Sequence, residues 1–565
     1  MKKFVAGILA AALAVSSAIF CVACDTGSKP DDGDTPPALQ PEEPQLADAL
    51  KTNLSADGYV KGKIGDFSVY ENTDAYRKVK TAEELFKAVS DAKIHYKNVW
   101  DDASGTYTQV PADGYTEDNY KGTVRVIEIE NDLNLGFDKL GGVNTYGVVE
   151  DFSRKQKPTI VSKFTMSDVY TENGISQIKV ENTSDLLIYS KNGAKLTHCG
   201  FKVTSCNNVA FRNLEFDEIW QWEDASDPST NAVGDYDAFG WAYFKVAFCG
   251  YVWIDHCTFG KSYDGQIDYS NPDYTANAGV AFRAPYGADG GNGLHISWCN
   301  FNGGSDDKDG YLYKMMKKIE DEYQAGGKNY LYYNALRAKG ISFEEILYGL
   351  AIPQKKGFLC GDSGDPYEYN LKLQVSFSNC KFINLEDRLP KLRGGNSYMY
   401  NCIVDSSQYI SYRSLLKGRN AAGIVMGVNS GWKCALVSQG IVCGNGGSFM
   451  GENCVYRGIE SLLKNNDKNT ADKVEGGYKL VNCSYLSGAS GTPYVGSSSD
   501  SGNRFANSTP STLKPENFSW HTEDGEQPFT IAATALDKLE ESLADVKYGA
   551  GAKNGFSLSL LKSKY

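Results

Sequence analysis

Two short segments, more than a hundred residues apart, carry the side chains best suited to chemistry. The first runs from Val252-Trp253-Ile254-Asp255-His256-Cys257-Thr258-Phe259 into Asp264-Gly265-Gln266-Ile267-Asp268. Asp264 and Asp268 stand i, i+4 across a glycine-containing turn, and hard oxygen ligands of this kind suit Ca²⁺. Taken alone, such a pair is more often two solvated surface carboxylates. The second segment is Arg388-Leu389-Pro390-Lys391-Leu392-Arg393-Gly394-Gly395, with two guanidinium groups five residues apart on a Pro-stiffened strand. Its bland reading is a pair of surface arginines neutralised by Glu386 and Asp387. Together the segments offer a bound cation and fixed positive charge. Removal of a proton α to a carboxylate needs both, because charge develops on a group that is already anionic.

Other chemistries find little support. There is no G-x-S-x-G, H-E-x-x-H, P-loop or paired C-x-x-C, and five histidines leave little room for a zinc site. A formal charge of −13 without any Lys/Arg run argues against a nucleic-acid partner. An anionic substrate must then be held by a local basic patch or a bound cation. The 565 residues suffice for one very large domain or two to four ordinary ones. Tyr (36) and Gly (58) are abundant and Pro (17) is not, a mix that suits many strands joined by tight turns.

The N-terminus reads as an export signal over residues 1–23: Lys2-Lys3, an apolar stretch from Phe4 to Phe20, then Val22-Ala23-Cys24. A Cys after two small residues resembles the lipobox of bacterial lipoproteins, in which that Cys is acylated, although Cys21 stands where Leu is usual. The competing reading is an ordinary signal peptide with incidental cysteines. Residues 24–45 are acidic and Pro-rich, a composition that cannot pack a core and makes an extended tether. The expectation is an exported, monomeric cell-envelope or cell-surface protein that meets the membrane through a lipid on Cys24 only.

The elements that must position the two segments are short strands. Cys-x-aromatic or Cys-x-aliphatic recurs at Cys257, Cys299, Cys380, Cys402, Cys454 and Cys483, with one interval of 22 residues and others lengthened by loops. Such recurrence indicates a solenoid with one inward Cys per coil, and favours a buried thiol ladder over disulfides. Strands are expected at Val124–Ile129, Leu186–Tyr189, Asn208–Leu214, Tyr251–Phe259, Leu294–Trp298 and Leu373–Phe377. A helix capped by Thr81-Ala82-Glu83-Glu84 precedes them, with Leu85, Val89 and Ala92 on one face. Helical texture interrupts the strands at about 309–354, where Ser342-Phe343-Glu344-Glu345 opens a third helix. A stripe of Leu536, Leu539, Leu543 and Val546 predicts a helix covering the last coil. The fold class is all-β, a right-handed single-stranded parallel β-helix with short capping helices and a helical insertion. It forms one domain over 46–565.

The two chemical segments, the early helix, Asn207–Phe216 and Gly357-Phe358-Leu359-Cys360-Gly361-Asp362-Ser363 occur in the order of polysaccharide lyase family 1, the pectate and pectin lyases, which the chain closely resembles over roughly 80–560. The resemblance implies a β-helical, Ca²⁺-dependent enzyme that cleaves polygalacturonate or pectin by β-elimination. It assigns Arg388 as catalytic base and Arg393 as the clamp on the substrate carboxylate. It makes Asp264 and Asp268 calcium ligands, with Asp237 chosen over Asp235 as the third. It also asks for a substrate-binding lysine: Lys356, ahead of Gly357, is favoured, and Lys308 competes because the insertion falls between them. Asp255 and His256 belong to the family's structural framework. An arginine base is awkward because guanidinium stays protonated far above neutral pH. Neighbouring cations favour its neutral form and imply an alkaline optimum. The alternatives are a pectin lyase acting on methyl-esterified chains and a non-catalytic surface β-helix that binds polyuronate.

Overall fold

A five-residue apolar strand, one residue in the left-handed backbone region and a second short strand make the repeating corner of this protein. Tyr251–Asp255 is buried throughout, His256 turns the chain at φ +49°, and Thr258–Phe259 leaves in a new direction. Asn213, Trp298, Asn379, Asn401, Asn453 and Asn482 occupy the same left-handed corner on other coils. Asn tolerates this conformation better than most residues, because its short polar side chain bonds locally. The stretch Tyr251–Phe259 is therefore two strands on two sheets, not the single strand expected: a side chain at His256 cannot continue a flat strand at positive φ.

The computed structural model describes residues 67–135, 169–172, 175–219, 226–227, 232–233, 242–262, 265–271, 293–302, 308, 310–327, 331–352, 356–361, 370, 373–408, 410, 439–465, 475–508, 513–519, 533–546 and 549–554. Asp235, Asp237, Asp264, Cys24, the signal and the tether lie outside them. Each coil contributes one strand to each of three sheets. The coil of Tyr251–Asp255 continues through Thr258–Phe259 to Ile267–Tyr269, and then Gly293–Ser297 pairs in parallel with Tyr251–Asp255. The first sheet has ten strands, the second ten and the third nine, nearly all parallel. This is a right-handed parallel β-helix. The described residues belong to one compact unit, Leu46–Tyr565.

Inside, like residues stack on like. Phe216, Phe259, Phe301 and Phe382 form a column with ring centroids 5.5, 5.0 and 4.4 Å apart. The six repeating cysteines form a second column. The amide of Cys257 donates to Cys299 Sγ at 3.4 Å, Cys299 N to Cys380 Sγ at 3.5 Å, and Cys380 N to Cys402 Sγ at 3.3 Å. All described cysteines are buried free thiols. The thiols serve as small apolar fillers whose S–H groups bond carbonyls of their own and neighbouring coils.

Helix α1, Ala82–Ala92, covers the N-terminal end with Leu85, Val89 and Ala92 buried as expected, together with Phe86 and Ala88. Thr81 Oγ1 accepts from Glu84 N at 3.2 Å, while the Glu84 carboxylate takes the Lys80 N–H at 2.7 Å, one residue earlier than a regular capping box. The insertion forms α2 (Tyr311–Gln324), α3 (Leu331–Ala338) and α4 (Phe343–Ile346), and Ser342 and Glu345 make the expected reciprocal cap. It leaves between Asn300–Asn302 of the second sheet and Phe358–Cys360 of the third, and buried Lys261 anchors its end by donating to Ala351 O.

The C-terminal expectation needs correction. Helix α5, Leu536–Ala544, buries Leu539 and Leu543 against Trp298, Ile383, Ile403 and Val455 on the outer face of the second sheet. It does not cover the last coil, and Val546 is 89% exposed. The last coil is closed instead by Tyr494–Gly496, antiparallel to Cys483–Leu486, and by Phe505 and Leu513.

Candidate active site

The corner between the second and third sheets recurs once per coil, and three successive passes of it bring the chemical segments together. One pass enters Ile267–Tyr269, the next enters Phe358–Cys360, and the third enters Lys391–Arg393. Their register is fixed: Asp268 lies opposite Leu359, and Leu359 opposite Lys391. A separation of 120 residues between Asp268 and Arg388 thus becomes two rungs of one sheet.

Arg388 precedes its strand at φ +63°, an uncommon state for a side chain without glycine's freedom, and is only 8% exposed. Its amide donates to Asp387 Oδ1 at 2.7 Å and its carbonyl accepts from Phe358 N at 2.8 Å, so the turn is tied at both ends. The guanidinium reaches back across the intervening coil, placing Nη1 3.6 Å from Asp268 Oδ1. Two glycines clear its path. A Cβ on Gly265 would lie 2.9 Å from both Arg388 Nη1 and Asp268 Oδ1, and one on Gly357 only 2.5 Å from Arg388 O. The Arg388 side chain therefore pairs across coils with Asp268, while its neighbour Asp387 serves the backbone.

Lys356 forms a parallel bridge with Asp387, one residue before Arg388. Lys308 sits on an exposed turn ahead of α2, on the far side of the insertion in sequence. The structure thus brings Lys356, Arg388, Arg393 and Asp268 to one place.

Sequence reasoning passed over Lys391. It alternates outward with Arg393 about fully buried Leu392, half-buried between the arginines. Burial first, then the charges of Arg388, Arg393 and Lys356, push its ammonium down to about 8, against an opposing pull from Asp387. Period-two alternation in Lys391-Leu392-Arg393 was the available signal. Lys391 thus marks a place where burial and three neighbouring cations meet, in a chain whose net charge is −13.

Asp255 and His256 lie elsewhere, buried at the first corner. Asp255 accepts from Arg212 Nε at 2.8 Å and Ser297 Oγ at 2.6 Å, and lies 2.8 Å from His256 Nδ1. Arg212 stacks 4.1 Å from the Trp253 ring centre, and His256 lies parallel to Trp298. This closed network orients strands and is part of the framework.

Among the described residues no three His, Cys, Asp or Glu side chains gather to hold a metal, and Asp268 is the one expected ligand that is described. A carboxylate oxygen faces the space that a Gly265 side chain would fill, and Asp264 is adjacent in sequence.

Comparison with known proteins bears on the family. Pectate lyase B of Paenibacillus amylolyticus is 30% identical over 424 residues, 74% of this chain and 90% of that protein. A pectate lyase of Bacillus subtilis strain 168 is 23% identical over 223 residues, 39% of this chain and 40% of its own. Among solved structures, a pectate lyase from Paenibacillus sp. 0602 matches with a TM-score of 0.65 at 26% identity, covering 91% of this chain and 98% of that one. No family model matches. A cross-coil arginine–aspartate site on a parallel β-helix and a relative matched over nine-tenths of its length lead to one conclusion: the chain belongs to the pectate lyase family and is a polysaccharide lyase.

Proposed function

We propose that the protein cleaves α-1,4-linked polygalacturonate by calcium-dependent β-elimination, releasing 4,5-unsaturated oligogalacturonates. The observation that carries this reading is the Arg388 guanidinium held 3.6 Å from Asp268 among Lys356, Lys391 and Arg393. In the neutral form, Arg388 takes the C5 proton. The C5–H electron pair becomes the C4=C5 double bond, the C4–O bond breaks, and the departing oxygen takes a proton from water. Arg393 and Lys356 hold the uronate carboxylate while charge builds on it. Asp268, with Asp264 and Asp237, would hold the metal. Bound calcium would supply a fixed double positive charge at that carboxylate.

Incubation with polygalacturonate and Ca²⁺ should produce ultraviolet absorbance from the unsaturated ends. Chelation should abolish it, and Asp268→Asn should raise the Ca²⁺ requirement. Saturated oligogalacturonates as the only products, or full activity after chelation, would sink the reading.

The two lysines are separable. Lys356→Ala is expected to lower kcat/KM about a hundredfold or more, as loss of one preorganised charge contact does. Lys308→Ala should be near neutral. Both are measured at saturating Ca²⁺, and the reverse order would move the site to Lys308. We also propose export with a lipid on Cys24, from the Val22-Ala23-Cys24 pattern. Among the described residues no helix is long and apolar enough to cross a membrane.

A further inference from the structure

The third sheet carries an unusual outward file. Lys179 lies opposite Lys202, Lys202 opposite Lys245, and Lys245 opposite Asp268. Their flanking residues Ile178, Val180, Phe201, Val203, Phe244 and Val246 all point into the core, so each lysine faces outward, half-buried. Adjacent rungs are about 4.8 Å apart. Like charges directly opposite one another on neighbouring strands repel. Elsewhere on this helix, cross-rung lysines meet acids: Lys195 is opposite Glu215 at 3.1 Å, and Lys78 is opposite Glu128 at 3.8 Å. Among the described residues no carboxylate pairs with Lys202 or Lys245. The file runs straight into the Asp268 rung, on the side away from Arg388.

We infer that Lys245, Lys202 and Lys179 form an extended polyanion-binding track that holds free carboxylates of a polyuronate chain beyond the cleavage site. This rests on the polygalacturonate reading above and adds a determinant of chain length and charge. A uronate chain lying along the helix axis turns successive sugars about its own axis, and the carboxylates it turns toward the sheet relieve the repulsion within the file. Methyl esters cannot.

The test is direct binding as well as turnover, using the full chain. Affinity for long polygalacturonate is measured by calorimetry with Ca²⁺ chelated, for wild type and Lys202→Gln/Lys245→Gln. The double variant should bind about tenfold more weakly, with a shallower salt dependence. Lys202→Arg/Lys245→Arg should bind like wild type, and Lys538→Gln on the exposed face of α5 should change nothing. In turnover, KM for long chains should rise while kcat holds, and KM for trigalacturonate should move little. Highly methyl-esterified pectin should not distinguish the variants. Equal affinity of wild type and the Gln variant for polygalacturonate overturns the track. An inactive wild type whose binding depends on these lysines would overturn the lyase reading and leave the track standing. An active wild type indifferent to them would do the opposite.

Discussion

Arg388→Ala is expected to lower kcat by about a thousandfold or more, with a much smaller change in KM. The reason lies in how the side chain is held. Its amide and carbonyl are fixed by Asp387 and Phe358, and its guanidinium crosses the Gly357 coil to reach Asp268. Such a group costs no reorganisation at the moment of reaction. Guanidinium is a poor base in water, but this site is not water-like. Burial first, and then Arg388, Arg393 and Lys356 against Asp387, push Lys391 down to about 8. That same crowd of cations acts on Arg388. Asp268 opposes it, and a metal bound to Asp268 would remove that opposition. Arg388→Lys should recover only a small part of the rate, because a point charge on a flexible stem cannot reproduce the planar fork across Gly357. It should also shift the rate profile to lower pH, since an ammonium gives up its proton more readily. The alanine variant starts from the same left-handed backbone, so thermal unfolding should move little. If Arg388→Ala keeps a tenth of the wild-type kcat, the base lies elsewhere.

What the sequence disclosed was mostly local. The cysteine recurrence was legible because one inward position per coil must be filled by a similar side chain, and the thiol column stands where that reasoning put it. The insertion was legible from a change of period, with Ser342 and Glu345 marking a helix start. The R-x-P-x-x-R segment stood out, but Lys391 within it did not, because a strand of three residues carries too little alternation to place a side chain. The lysine file was invisible for a deeper reason. Lys202 and Lys245 are 43 residues apart, and only the strand register makes them neighbours. Loops of unequal length between coils erase that register from any fixed spacing. The misplacement of α5 has the same origin: an amphipathic stripe says that a helix has a face to bury, not which surface receives it.

Asp255→Ala should be among the most destabilising substitutions in the molecule, by about 3–5 kcal/mol, because it strands a buried charge. Arg212 is fully buried, pairs with Asp255, and lies over Trp253. Removing the carboxylate leaves that guanidinium without its counter-charge, and leaves Ser297 Oγ and His256 Nδ1 without an acceptor or partner. The loss falls on the first corner of three adjacent coils, where Asn213, His256 and Trp298 turn the chain. Burial by itself would raise the Asp255 carboxyl, but Arg212 and His256 overcome it and hold the group well below the usual carboxylate range. Its folded value is thus depressed relative to about 3.9 in the unfolded chain. The stabilisation is fully present above that unfolded value and is lost as pH falls through the folded one. Denaturation midpoints of wild type and variant should therefore differ most at neutral pH, begin to converge below about pH 4, and draw together only as pH falls on through the depressed folded value. Activity of the folded fraction, assayed well below the midpoint, should stay near wild type, because the network touches no residue of the Arg388 cluster. A stable variant with lost turnover would instead make Asp255 part of the chemistry, and a stable, active one would mean that the corner does not depend on this charge.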